Sequence, residues 1–325
     1  MILLTGTAGF IGYHVAEALL ARGEQVLGVD DLNPYYDVRL KQARLDRLAR
    51  HAGFRFVRAG IEDREAMQAA VDSAPGLDRI LHLAAQAGVR YSLEQPFDYV
   101  ASNLQGQVVL LELARRLPGL RHLVYASSSS VYGASTRLPF REDDPCDTPL
   151  SLYAASKRAD ELMGHAYAHL FGIPLSGLRF FTVYGPWGRP DMAYFSFAEA
   201  ILKGEPLTVY DGGRLRRDFT YIDDIVQGVV GVLDRPPAAG EPARLFNIGN
   251  TQSEPVSALI AALEAVLGRR AVVRDVPRPR ADVAQTLADV GRIAALTGFA
   301  PRTPLAEGVA RFGEWFLTWK CQNQG

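Results

Sequence analysis

Short apolar runs alternate along this chain with longer stretches in which apolar side chains return at helical spacing. Residues 2–5 form the first run, and Ile11, Val15, Ala18 and Leu19 begin a helical pattern directly behind it. Further strands are expected at 25–29, 54–57, 77–85, 121–126 and 175–182, with helices at 38–51, 64–73, 97–117 and 153–171 between them. These strands are apolar throughout rather than alternating, so both faces are covered. Strand–helix alternation repeated this often predicts an α/β protein with a doubly wound parallel sheet. From Val183 the character shifts to a Gly/Pro loop followed by a helix at 194–203. A strand at 219–222 and a helix at 224–233 are expected to return to the first unit. Residues 1–182 plus 218–246 are therefore assigned to the large domain, and 183–217 plus 247–325 to a smaller C-terminal α/β domain.

The turn between the first strand and first helix carries Gly6, Gly9 and Gly12 at G-x-x-G-x-x-G spacing. The first glycine suits a tight turn, the second admits a phosphate to the backbone, and the third lets helix pack on strand, as in the Rossmann dinucleotide fold. Open amides at the helix start, around Phe10 and Ile11, then face the pyrophosphate. The second strand ends in Asp30, 18 residues beyond Gly12, where a carboxylate can accept from both adenosine ribose hydroxyls. Asp30 would repel a 2′-phosphate and no arginine sits in the glycine loop, so NAD is favoured over NADP. Asn33, Ile61 and the small-residue end of the fourth strand, Leu83, Ala84 and Ala85, are the other candidate cofactor contacts.

Composition narrows the class. The chain has 325 residues, 48% hydrophobic and 22% charged, with a net charge of −1, which gives no field for nucleic acid. Two cysteines, Cys146 and Cys321, suggest neither a disulfide framework nor a metal site. No apolar run approaches a membrane span and the start lacks a basic n-region, so a cytoplasmic protein without a membrane partner is expected.

Candidate chemistry lies at the start of the helix at 153–171. Tyr153 and Lys157 are four residues apart and share a face, so the ammonium can stabilise the phenolate and make Tyr153 a general base for an alcohol. The serines Ser127–Ser130 follow the fifth strand, and Ser128 or Ser130 can hold the same hydroxyl.

Together these pieces resemble the extended short-chain dehydrogenase/reductases that act on nucleotide sugars, over essentially the whole chain. The stretches 87–93, 151–157, 177–192 and 216–224 resemble UDP-glucuronate 4-epimerases. The resemblance implies that Tyr153 takes the 4-hydroxyl proton while C4 gives a hydride to tightly held NAD, and that the 4-keto sugar turns over and takes it back on the other face. It implies that Lys157 also contacts the nicotinamide ribose, that Ser128 positions the reacting hydroxyl, and that Arg217 and Arg280 grip the diphosphate of the UDP-sugar. Asp282 falls where the family holds the uridine ribose or a neighbouring arginine. For the uronate carboxylate, Thr182 and Arg189 come first and Arg90 and Ser130 second, with the cofactor pyrophosphate an alternative for Arg90. Family decarboxylases carry a glutamate, and dehydratases an Asp-Glu pair, where this chain has Ser129 and Ser130. Relatives commonly place an adenine-binding aspartate where Gly60 stands here, leaving Glu62, Asp63, the backbone or packing to substitute. The family also pairs the helices at 97–117 and 153–171 into a homodimer.

Overall fold

The computed structural model describes residues 1–325 except 239–240, 242, 280–281 and 324–325. Its centre is a parallel sheet of seven strands: β1 (Ile2–Thr5), β2 (Val26–Asp30), β3 (Phe54–Arg58), β4 (Arg79–His82), β5 (His122–Ser128), β6 (Leu175–Phe180) and a last strand, Arg244–Ile248. The spatial order is β3-β2-β1-β4-β5-β6 and then Arg244–Ile248. The order reverses beside β1, the switch point at which doubly wound sheets open a crevice.

Successive strand residues face opposite layers. Ile2 and Leu4 pack with Val15, Leu19, Ile225 and Val229 on one face. Leu3 packs with Val29, Leu110, Leu123 and Tyr125 on the other. Register then aligns the strand ends: Thr5 pairs with Val29 on one side and His82 on the other. Gly6, Asp30 and Leu83 thus leave the sheet at one edge.

Outside the sheet, Thr182–Tyr184 pairs in parallel with Phe219–Tyr221, and Pro206–Tyr210 with Val272–Val276. Helices Ala193–Lys203, Val256–Leu267 and Leu305–Asn323 pack around Tyr194, Phe195, Leu263 and Phe312. This smaller α/β part shares one continuous apolar core with the sheet. The strand Arg244–Ile248 runs two residues past the boundary expected at 246, because Asn247 and Ile248 continue the ladder against Arg179 and Phe180.

Three expected elements differ. The fourth strand ends at His82, and Leu83–Ala85 leave it as loop. The sixth breaks at Phe181, whose amide bonds Ile248 across the sheet while Thr182 turns to Asp218. The long helix at 97–117 is composite: Pro96–Tyr99 is α-helical, Val100–Gln105 is a π-helix, and Gly106–Arg116 returns to α. A π-turn re-aims side chains. Here it buries Asn103, whose amide nitrogen donates to the Gln86 carbonyl (3.1 Å) and the Ser156 hydroxyl (2.9 Å). Gly106 then lets the chain pass Ile61, whose Cδ1 would lie 2.7 Å from a Cβ there.

Candidate active site

A cleft of about 870 Å³ runs along the carboxyl edge of the sheet. Apart from Arg280 and Asp63, the candidates named above line it: Gly6, Gly9 and Gly12 with Phe10 and Ile11, Asp30, Asn33, Ile61, Glu62, Leu83–Ala85, Arg90, Ser128, Ser130, Tyr153, Lys157, Thr182, Arg189, Arg217 and Asp282. Arg280 lies outside the described residues.

At one end, Gly6 has φ +73°, and a Cβ on it would come 2.7 Å from the Ala84 nitrogen. A Cβ on Gly12 would sink into the Gly6 carbonyl. Gly9 caps the first helix, Phe10–Ala21, with no side-chain hydrogen bond, so its first amides stay open to the cleft. Asp30 is buried and fixed: Oδ2 accepts from the Ala8 amide (3.1 Å), Oδ1 from Leu32 (2.9 Å), and the Lys41 ammonium stands 3.6 Å from Oδ1. Burial pushes its pKa up, while Lys41 and the two amides oppose the shift. Each oxygen keeps a further acceptor position for a ribose hydroxyl. These features fit a dinucleotide such as NAD.

Arg44 locks the loop from beneath. Fully buried, it donates to the Ala8 carbonyl (2.7 Å) and to the carbonyls of Trp187 (2.5 Å) and Gly188 (3.1 Å), so the glycine loop and the segment before Arg189 share one guanidinium. At Gly60 the missing side chain makes room for the Glu62 carboxylate, which packs over it and lines the cleft. Asp63 is committed elsewhere, capping helix Arg64–Asp72 through the amides of Glu65 and Ala66.

Mid-cleft, β5 delivers the serines. Ser127 donates to Glu161 Oε1 at 2.6 Å, and both oxygens of Glu161 are gripped by the Nε–Nη2 edge of Arg179, so Ser127 is tied into the fold. Ser128 caps the short turn Ser129–Tyr132 by accepting from the Ser130 amide (3.1 Å), which leaves its own hydroxyl hydrogen to donate into the cleft. Helix Leu152–Phe171 starts at Ser151, whose hydroxyl accepts from Ala154. Tyr153 therefore stands in the first turn and Lys157 one turn behind. The Lys157 ammonium donates to the Ala126 carbonyl (3.1 Å) and to Asp160 Oδ2 (3.0 Å). Burial raises the Asp160 carboxyl to about 6, against the pull of Lys157.

At the far end, Arg217 Nη2 donates to Asp282 Oδ1 at 2.8 Å, and Arg90 reaches the other oxygen of Asp282 at 4.0 Å while lying over the Tyr210 ring. Burial lowers the Arg217 pKa, with Asp282 countering. Arg90 thus shares a carboxylate with the diphosphate candidate. Thr182 and Arg189 lie on the same cleft, and Arg189 is paired with Asp191 through two hydrogen bonds, of 3.0 and 2.5 Å.

Residues 2–249 match the family model described as the NAD dependent epimerase/dehydratase family. The chain belongs to that family. A probable UDP-glucuronate 4-epimerase of Rhizobium meliloti (strain 1021) is 47% identical, over 97% of this chain and 96% of that one. UDP-glucuronate 4-epimerase 3 of Arabidopsis thaliana is 45% identical, over 97% of this chain and 76% of its own length. The crystal structure of a UDP-glucuronic acid 4-epimerase from Bacillus cereus, in complex with UDP-glucuronic acid and NAD, superposes with a TM-score of 0.89 at 33% identity, covering 98% of this chain and 99% of that chain.

For a member of this epimerase/dehydratase family, sequence reasoning overlooked Lys41, Arg44, Asn103, Asp160 and Asp191. Lys41 and Arg44 are three apart on a charged helix and resemble surface residues, yet both are buried. Lys41 also changes the cofactor argument. It places one positive charge beside Asp30, so exclusion of a 2′-phosphate rests on the position of that carboxylate rather than on net charge.

Proposed function

We propose that this protein is a UDP-glucuronate 4-epimerase that interconverts UDP-glucuronic acid and UDP-galacturonic acid with NAD retained through the cycle. The observation that carries the reading is the order of groups along one cleft: a dinucleotide cradle, the Tyr153–Lys157–Ser128 set, then Arg189 and the Arg217–Asp282 pair. NAD would be held by the Gly6–Gly12 loop, Asp30, Asn33, Ile61, Leu83–Ala85 and Lys157. When bound it supplies a two-electron acceptor and donor for C4.

Tyr153 takes the proton from the sugar hydroxyl as C4 is oxidised and returns it later. Lys157, held by Ala126 and Asp160, keeps a positive charge beside the phenolate. Ser128 donates to the same oxygen. Arg217, with Arg280, holds the diphosphate. Arg90, expected at the uronate carboxylate or the cofactor pyrophosphate, is assigned to the diphosphate instead because it shares Asp282 with Arg217, and Asp282 orients that pair or the uridine ribose. Thr182, Ser130 and Arg189 hold the uronate carboxylate. Serines at 129 and 130 leave no acid there to drive elimination or decarboxylation.

Incubating the protein with UDP-glucuronic acid without added NAD, followed by proton NMR, tests this. UDP-galacturonic acid rising to a steady ratio is the expected result. A UDP-pentose with CO₂, or no turnover even with NAD supplied, would sink it. Tyr153→Phe should then cost about 10²–10⁴ in kcat, the usual range for a general base.

The same reading takes residues 1–182 and 218–246, extended to 248 by the last sheet strand, as the cofactor domain and the remainder as the UDP-sugar domain. It also makes the protein a cytoplasmic homodimer. Among the described residues no helix is long and apolar enough to cross a membrane. Phe97, Val100, Leu162 and Leu170 stand exposed on the helical segments expected to pair. Sedimentation at the mass of one chain would count against the dimer.

A further inference from the structure

Resting on the uronate reading above, we propose that Asp191 is a specificity-determining positioning residue. It holds Arg189 by one edge of the guanidinium so that the adjacent Nη1–Nη2 edge grips the sugar carboxylate, and Tyr35 holds Asp191 in turn.

Arg189 Nε donates to Asp191 Oδ1 (3.0 Å) and Nη2 to Asp191 Oδ2 (2.5 Å). A guanidinium has five N–H donors in a rigid plane. This pairing uses two, on the Nε–Nη2 edge. Among the described residues no side chain or carbonyl is bonded to Nη1, and both residues line the cleft, so the Nη1–Nη2 edge is left for a second carboxylate. Pro190 stands between them and fixes its own φ, which limits how far the two side chains can drift apart.

The pairing is anchored outside the segment. The Tyr35 hydroxyl donates to Asp191 Oδ2 at 3.1 Å. Tyr35 is itself placed by its amide on Asn33 Oδ1 (2.8 Å) and by its ring against Tyr91 at 4.6 Å. Gly88 leaves the space it needs: a Cβ there would lie 2.8 Å from the Tyr35 hydroxyl. Although burial opposes it, Arg189 and Tyr35 hold the Asp191 carboxyl below its ordinary range, so the carboxylate stays charged. The carboxylate edge of the site is therefore built on the loop that follows Asp30, on the cofactor side.

This anchoring bears on product identity. The 4-keto uronate is a β-keto acid. If its C5–C6 bond swings into line with the C4 carbonyl π system, that bond breaks and CO₂ leaves. The electron pair forms the enolate across C4–C5, a proton from water adds at C5, and the sugar becomes a 4-keto pentose. The two electrons removed from C4 stay on the reduced cofactor unless they are returned to C4 of the pentose. An arginine free to swing would follow a wandering carboxylate; one held along its Nε edge resists that motion.

The test compares wild type, Asp191→Asn and Tyr35→Phe, each as purified holoenzyme with UDP-glucuronic acid, with sugars read by NMR and CO₂ trapped. Asp191→Asn should raise the share of turnovers that end in CO₂, and KM for the uronate, by about tenfold, the scale of one charge-assisted hydrogen bond. Tyr35→Phe should move both the same way by a smaller factor. In an Arg189→Ala background Asp191→Asn should add nothing. A uniform loss of kcat with product partition and uronate KM unchanged in both variants overturns the proposal. If Asp191→Asn fails to fold, Tyr35→Phe decides alone. Absence of uronate turnover in wild type would instead remove the function reading on which this rests.

Discussion

The two ends of the cleft are built in different ways. The end at Asp30 comes from one continuous strand–loop–helix–strand unit, with Gly6, Gly12, Asp30 and Lys41 inside a span of 36 residues. The end at Asp282 draws Arg90, Tyr210, Arg217 and Asp282 from four separated segments. Glycine spacing and a strand-end carboxylate constrain each other locally, so the first end has a sequence signature of its own. Nothing in the spacing of Arg90 and Asp282 says that they approach to 4.0 Å. The first end should therefore respond to one substitution as a unit, and the second should share out the loss.

The largest expected effect is at the local end. Asp30→Ala removes the partner of the buried Lys41 and leaves its ammonium facing the cleft. The variant should lose NAD during purification, and the ratio of NAD to NADP affinity should fall by about 10–100-fold, the scale of one or two charge-assisted hydrogen bonds. Titration with each cofactor measures it. An unchanged ratio would mean that Asp30 does not face the adenosine ribose, and the contrast between the two ends would lose its first term.

At the dispersed end the effect should be smaller. Arg217→Ala leaves Arg90 and Asp282 in place, so KM for UDP-glucuronic acid and the inhibition constant of UDP alone should each rise by about tenfold, the low end for one charged contact. Equal weakening of both ligands is the diagnostic, because UDP carries the diphosphate and no sugar. Loss confined to the sugar ligand would move Arg217 out of the diphosphate site.

What could be read from the chain follows the same division. The parallel sheet was legible because β1, β2 and β6 are buried on both faces and therefore apolar at every position but a few. Tyr153 and Lys157 were legible because helical spacing alone puts them on one face. The π-turn at Val100–Gln105 was not, since its cause is tertiary: buried Asn103 must reach both Gln86 and Ser156. Nor was the choice among four adjacent serines, which depends on Glu161 and Arg179 arriving under Ser127. Asp191 lay within a stretch already noted, yet its bond to Tyr35 spans 156 residues. Family resemblance supplied most of the dispersed end, and geometry then grouped it.

The smallest effect on chemistry, none at neutral pH, is expected at the opposite edge of the sheet. His122 opens β5 there, fully buried, with Nδ1 bonded to the Leu233 carbonyl (3.1 Å) and Nε2 to the Ser176 hydroxyl (2.9 Å). It thus joins the sheet to the helix Ile222–Leu233. Burial lowers its pKa from 6.5 to about 4, with the bond to Leu233 opposing. A folded pKa below the unfolded value means stability that is fully present above pH 6.5 and is lost as pH falls toward 4, since the unfolded chain takes the proton first. The loss is on the order of 3 kcal/mol across that window. His122→Asn should flatten the corresponding slope of denaturant-derived stability against pH while leaving product ratio and kcat at neutral pH unchanged. If the slope persists, the acid sensitivity belongs to another desolvated imidazole: His14, lowered to about 4 and bonded to the Pro186 carbonyl (2.9 Å), or His82, lowered to about 3 and bonded to Thr5 (2.7 Å), either of which would tie fold stability back to the site.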